Sequence, residues 1–294
     1  MKKLFISSLA ILAMASCSKN EDLAGQNGKE IKMKAGVTAP VSRAAIGQDA
    51  SGKLTAELTG VQFLRADGTT ADWTTVTAPS FTGTIAVSGA ISPSATQFYP
   101  TDGSNANIMG YYPAASGAIS GSKIPMTITG AEDVIYAAPV SGSKSSALGA
   151  MTFTHKLTQF TFVASRTADL NADVTNVKIS VKDANTTFTM AIADGTLAGF
   201  STPAKIDVLT SGTATEAGSA ETEGFMLEPG QASVTLTVSG TGFPEQDITV
   251  SPTSGNFLAG SKYKITVQFG AKQVAGTASI GKWNDGEEIV KPIE

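Results

Sequence analysis

The sequence predicts an all-β protein made of two antiparallel β-sandwich domains in tandem, and three observations predict it. Val, Ile, Thr and Phe alternate with polar residues in short runs bounded by Gly, Ser, Pro and Asn, and no long helical period appears. Asp-Gly pairs at Asp67-Gly68, Asp102-Gly103, Asp194-Gly195 and Asp285-Gly286 offer the positive φ that tight hairpins require. Finally, the 294 residues, less a leader, exceed twice the roughly 100 residues of one small sandwich.

Taken in order, the chain opens with Met1, Lys2 and Lys3, an apolar run over 4–15, and then Ser16 and Cys17. A charged start, a short apolar stretch and a small-residue cleavage site make residues 1–16 a signal peptide, since a permanent span takes about 20 apolar residues. Met14, Ala15, Ser16 and Cys17 resemble a bacterial lipobox. The single cysteine of the chain stands where lipidation would use it. A thioether-linked diacylglycerol plus an N-acyl chain there exceeds the two-chain requirement for stable anchoring. Ser18, Lys19, Asn20, Glu21 and Asp22 resemble the tag that sends lipoproteins to the outer face of the outer membrane.

Strands are expected over 31–37, 60–64, 81–87, 108–112, 123–129, 174–181, 188–192, 232–238, 247–250 and 262–269. The Gly/Ser-rich stretch 141–146 reads as a linker or exposed loop. The division is therefore 17–43 as a propeptide carrying the first strand, 44–148 as one sandwich and 149–294 as the other. In the segment 151–163, Met151, Phe153, His155 and Leu157 share one face, while Phe160 and Phe162 fall on the opposite phase. Either a bulge near Thr158 and Gln159 or a strand buried on both faces would reconcile them. No repeat of 20–50 residues is visible, which argues against a solenoid or propeller.

Composition excludes several functions. A net charge of -4 with 16% charged residues gives no basic field for nucleic acid. The sole histidine, His155, sits inside an apolar strand with no second histidine or nearby cysteine, so it reads as a core residue and no metal site is expected. No Gly-x-Ser-x-Gly elbow accompanies it. The run from Ser141 to Ser145 lacks the glycine that a phosphate loop needs directly before its lysine, because Ser143 stands there. The carboxylates at Glu21 and Asp22, at Glu132 and Asp133, and at Asp285, Glu287 and Glu288 do not have calcium-loop spacing. The chain reads as a non-enzyme without a cofactor.

Several features together resemble the fimbrillin family of type V pilus subunits. They are the lipobox and acidic tag, the alternation Phe153, His155, Leu157, the strand Ala259, Gly260, Tyr263 to Val267, and Ile280, Gly281, Lys282 and Trp283 near the end. The resemblance implies two transthyretin-like sandwiches, surface location in a fimbria at the outer membrane, and maturation by an arginine-specific protease. Arg43, followed by Ala44, matches the cleavage position. Before the cut, Ile31, Met33, Ala35 and Val37 can fill the first domain from one strand face. Afterwards that strand can leave an apolar groove with unpaired backbone groups, a template for another subunit's strand. The tail beyond Trp283 is the expected donor, with Ile289, Val290 and Ile293 supplying side chains, although Pro292 cannot donate a ladder bond. Partners are then other pilin subunits, the outer membrane through the lipid before maturation, and a host or bacterial surface receptor. The rival expectation is a tip or accessory adhesin, or a monomeric glycan-binding surface lipoprotein using Trp73.

Overall fold

The computed structural model describes residues 28–38, 46, 54–253, 255–270 and 274–281, with Val37, Thr38, Ala275 and residues 277–281 described in their backbone alone. Its described residues form sixteen strands and no helix. Cys17, Arg43, Ala44, Trp283, Ile289, Val290 and Ile293 lie outside them.

The first eight strands are β1 (Met33–Thr38), β2 (Leu58–Asp67), β3 (Phe81–Ile85), β4 (Ala90–Pro93), β5 (Ala106–Tyr112), β6 (Lys123–Thr127), β7 (Ile135–Gly142) and β8 (Met151–His155). All but β6 close into a barrel in the order β1-β4-β3-β2-β5-β7-β8. Closure removes the sheet edges that would otherwise recruit foreign strands. Phe63 and Phe81 stack inside at 5.0 Å. A Cβ at Gly110 would stand 2.7 Å from the Phe153 ring, so glycine is what lets β5 and β8 lie this close.

The remaining strands are β9 (Thr158–Arg166), β10 (Val174–Ala191), β11 (Leu197–Ala214), β12 (Phe225–Leu227), β13 (Val234–Gly240), β14 (Phe243–Val250), β15 (Lys262–Phe269) and β16 (Val274–Gly281). They form two sheets, β11-β10-β13-β14 and β12-β9-β15-β16, around a core that includes Phe162, Ile179, Leu236, Ile265 and Phe269. A third core, with Met109, Tyr111, Ile124, Met126, Phe188 and Met190, lies where β6 leaves the barrel and pairs with the far half of β10. That explains why β5 is buried on both faces: Ala106 and Ile108 fill the barrel, while Met109 and Tyr111 serve the third core.

The structure refines four expectations. Pairing is not wholly antiparallel, because β1 runs parallel to β8 and β15 parallel to β9. The two phases of 151–163 belong to two strands in different sheets: β8 buries alternate residues, and β9 is buried on both faces beyond a break at Lys156 and Leu157. Residues 141–146 are no linker. Ser141 and Gly142 end β7, and Ser143 and Ser146 close a turn, Ser143 N donating to Ser146 O at 2.6 Å, before the chain returns to β8 in the same sheet. The change of sheet therefore falls between His155 and Thr158, later than the expected division at 148.

Candidate functional site: the first strand and its slot

Alternation places Ile31 and Met33, 3% and 4% exposed, in the barrel core, and turns Lys32 and Lys34 to solvent. Ala35 is half-buried against the same core. The strand enters through short bonds: Ile31 N donates to Gln97 O at 2.8 Å and Tyr99 N to Lys29 O at 2.9 Å. It then pairs with β4 through Met33 opposite Ile91 and Lys34 opposite Ala90. Further on, its register with β8 runs from Ala35 opposite Met151 to Thr38 opposite Thr154, Val37 lying opposite Phe153. Thus β1 is the staple between β4 and β8. Taking it out opens the barrel, uncovers an apolar slot and leaves two strand edges without partners.

Ile46, the next described residue after β1, donates its amide to Asp133 Oδ2 at 2.9 Å. The histidine that sequence reading placed in a core is indeed buried, at 6%, and its Nδ1 lies 2.9 Å from Oδ1 and 2.8 Å from Oδ2 of Asp133. The partner was not foreseen. Glu132 and Asp133 look like one carboxylate pair in sequence, yet Glu132 caps Thr129 (Thr129 Oγ1 to Oε1, 2.8 Å) while Asp133 turns inward.

The other basic and aromatic candidates are accounted for. The three arginines of the chain include Arg65 and Arg166, whose side chains are only 17% and 15% exposed. Arg65 bonds Asp67 at 2.7 Å and Phe98 O at 2.8 Å. Arg166 bonds Asp173 at 2.8 Å and Leu170 O at 2.8 Å. Trp73 is half-buried against the third core. Among the described residues no three His, Cys, Asp or Glu side chains cluster as metal ligands, and no helix is long and apolar enough to cross a membrane.

The family model of fimbrillin-like proteins matches residues 43–283, and the chain belongs to that family. Membership makes it a fimbrial or adhesion-related surface protein. Among solved structures it is similar to a candidate cell adhesion protein from Bacteroides uniformis, at 21% identity and a TM-score of 0.62, covering 87% of this chain and 98% of that one. It is also similar to a candidate cell adhesion protein from Bacteroides ovatus, at 16% identity and a TM-score of 0.57, covering 90% and 99%. Both likenesses concern the fold. No curated protein matches the chain.

Proposed function

We propose that this protein is a structural subunit of a cell-surface fimbria. In this reading it is exported as a lipoprotein through Cys17, held at the outer membrane, cut between Arg43 and Ala44, and polymerised when another subunit's strand takes the place of β1. The observation that carries the reading is the position of β1, a short strand that closes a barrel and whose removal leaves both a slot and two open edges. Arg43 is the only cationic residue in 39–45, and the other two arginines are held in ion pairs and largely covered. Burial of Ile31 and Met33 contributes about 1.5–3 kcal/mol each, which a donor with similar side chains recovers, together with the ladder bonds.

The test is Arg43→Ala. The uncut chain keeps β1, so the variant stays a folded, membrane-bound monomer after treatment with an arginine-specific protease, and sizing shows no polymer. Wild-type fibres yield Ala44 as the first residue. Polymer from the variant at wild-type yield, or Cys17 retained in most fibre subunits, removes Arg43 as the gate.

A second reading, a tip or accessory adhesin, draws on a polar cavity of about 290 Å³ lined by Asp183, Asn185, Glu228 and Gln231. There Glu228 Oε2 accepts from Asn185 Nδ2 at 2.7 Å and from Gln231 Nε2 at 3.1 Å, the type of carboxylate-amide array that meets sugar hydroxyls. Electron microscopy with labelled antibody separates the two: label along fibres supports the stalk subunit, and label at tips supports the adhesin.

A further inference from the structure

In the maturation reading, Ile46 is the first described residue on the side of the cut that stays, and its hold on the barrel is specific. Its amide reaches a carboxylate 87 positions away, and its side chain packs against the barrel core. Asp133 itself is buried with His155, each side chain 1% exposed. A buried carboxylate without partners is costly, so one placed here needs a constant set of donors. It has two that join distant segments: His155 Nδ1 at the end of β8, and Ile46 N. The same small cluster thus ties the loop before β7, the last residue of β8 and the chain that follows β1.

We propose that Asp133 is the anchor of the amino-terminal segment that maturation creates, with His155 as the residue that positions its carboxylate. The inference rests on the maturation reading above and adds to it a definite end for strand release. Residues up to the cut depart with β1, whereas Ile46 remains as part of the wall of the slot and meets the incoming strand of a second copy. The arrangement lets one strand leave without unravelling the chain toward Leu54, which is itself in the barrel core. Without the anchor, the slot loses a preformed wall and the donor must order it on binding, which slows assembly.

The experiment uses the full chain before and after an arginine-specific protease, reading hydrogen exchange at the Ile46 amide, corrected for its intrinsic rate. The expected result in both wild-type forms is slowing by about a hundredfold or more, falling to within about tenfold of the free-chain rate in Asp133→Ala, while β5 amides stay protected as proof of folding. His155→Phe partly loses the protection, and His155→Gln, which keeps a donor, restores it. Should Asp133→Ala not fold, Ile46→Pro compared with Ile46→Ala isolates the bond, since both lose the side chain but only proline loses the donor. Cleaved Ile46→Pro is expected to polymerise about tenfold more slowly than Ile46→Ala. An Ile46 amide that exchanges at the free-chain rate in the wild type, or equal rates of polymerisation in the two Ile46 variants, overturns the anchor. Absence of any cut at Arg43 refutes the maturation reading instead, and the exchange in the uncut chain still decides for or against Asp133.

Discussion

Single residues show how sequence reading and structure divide the work. Alternation alone puts Phe153 and His155 on an inward face, because period two is a local property. It does not reveal Asp133 as the histidine's partner, 22 positions away across a loop, nor Ile46 as the carboxylate's other donor. Nor does it separate Gly110 from the other glycines, whose commonest role here is a turn. Gly110 lies mid-strand against two aromatic rings, with Phe153 at 2.7 Å and Phe63 at 3.1 Å from where a Cβ would be. Both rings belong to the barrel core, so Gly110→Ala must push aside close-packed neighbours. The expected loss is about 1–3 kcal/mol, seen as a lower Tm by calorimetry. Gly36→Ala is the control: nothing lies within 4 Å of its Cβ position, and its Tm should stay within experimental error of the wild type. Equal losses at both sites would mean that crowding at Phe153 is not the cause.

Legibility at the scale of elements followed burial pattern. Strands such as β13 and β15 bury alternate residues and stand out in the sequence. β10 reads as two strands because its middle carries Lys182, Asp183 and Asn185, where the backbone bulges and Asp183 takes a φ of 54°. β11 escaped altogether: most of its eighteen residues are partly or fully exposed, so hydrophobic alternation hardly marks it. Equally hidden is the strap 215–223 on the free side of β9, which imitates a strand without being one. Ser219 N and Thr222 N donate to Ala164 O and Phe162 O at 2.7 and 2.9 Å, and their hydroxyls accept from the amides of Ala164 and Phe162 at 2.9 and 3.0 Å. Beyond alanines the strap has no apolar side chain, so its charge contacts matter more. Glu221 reaches Lys262 at 2.8 Å and Lys264 at 3.9 Å. Burial pushes the Glu221 carboxyl up, but the Lys262 bond, the neighbouring Thr161 hydroxyl and both lysine charges together outweigh it and hold the group below its ordinary value of 4.5. The depressed value fixes the sign: the contact contributes fully above 4.5 and fades as pH falls through the lower folded value. Glu221→Gln at neutral pH should therefore lower the protection of the Ser219 and Thr222 amides, measured against their intrinsic exchange rates, as acid does in the wild type. Because the site is partly solvated, the change in global stability should be small. A strap equally protected in Glu221→Gln would assign its order to its main-chain and hydroxyl bonds to β9.

For the whole molecule, the described residues form three cores, and the third joins the barrel to the two-sheet unit that follows it. Barrel and sandwich are joined by β6 on β10 and by Tyr136, whose hydroxyl donates to Ile192 O at 2.9 Å, so a strand released from the barrel leaves this junction in place. That separation of slot from junction is what a subunit that exchanges strands requires, and it leads to the prediction for the donor. Gly281 ends β16 opposite Lys262 at the edge of the second sheet, and the tail that follows is proposed to fill the slot of the next copy. Deleting residues 287 onward should then abolish growth while changing monomer stability little, and calorimetry with electron microscopy would read the two effects apart. Alternation puts Ile289 and Ile293 on one strand face and Val290 on the other, so Ile289→Asp, which would force a charge into an apolar slot, should harm assembly far more than Val290→Asp. Mixing gives the sharpest measurement. Cleaved, tail-deleted chains retain the slot but have nothing to insert, so they accept one strand, offer none, and shorten fibres in proportion to their share of the mixture. Should they extend fibres at the wild-type rate, the donor lies elsewhere in the chain, and exchange through the carboxy-terminal tail is ruled out.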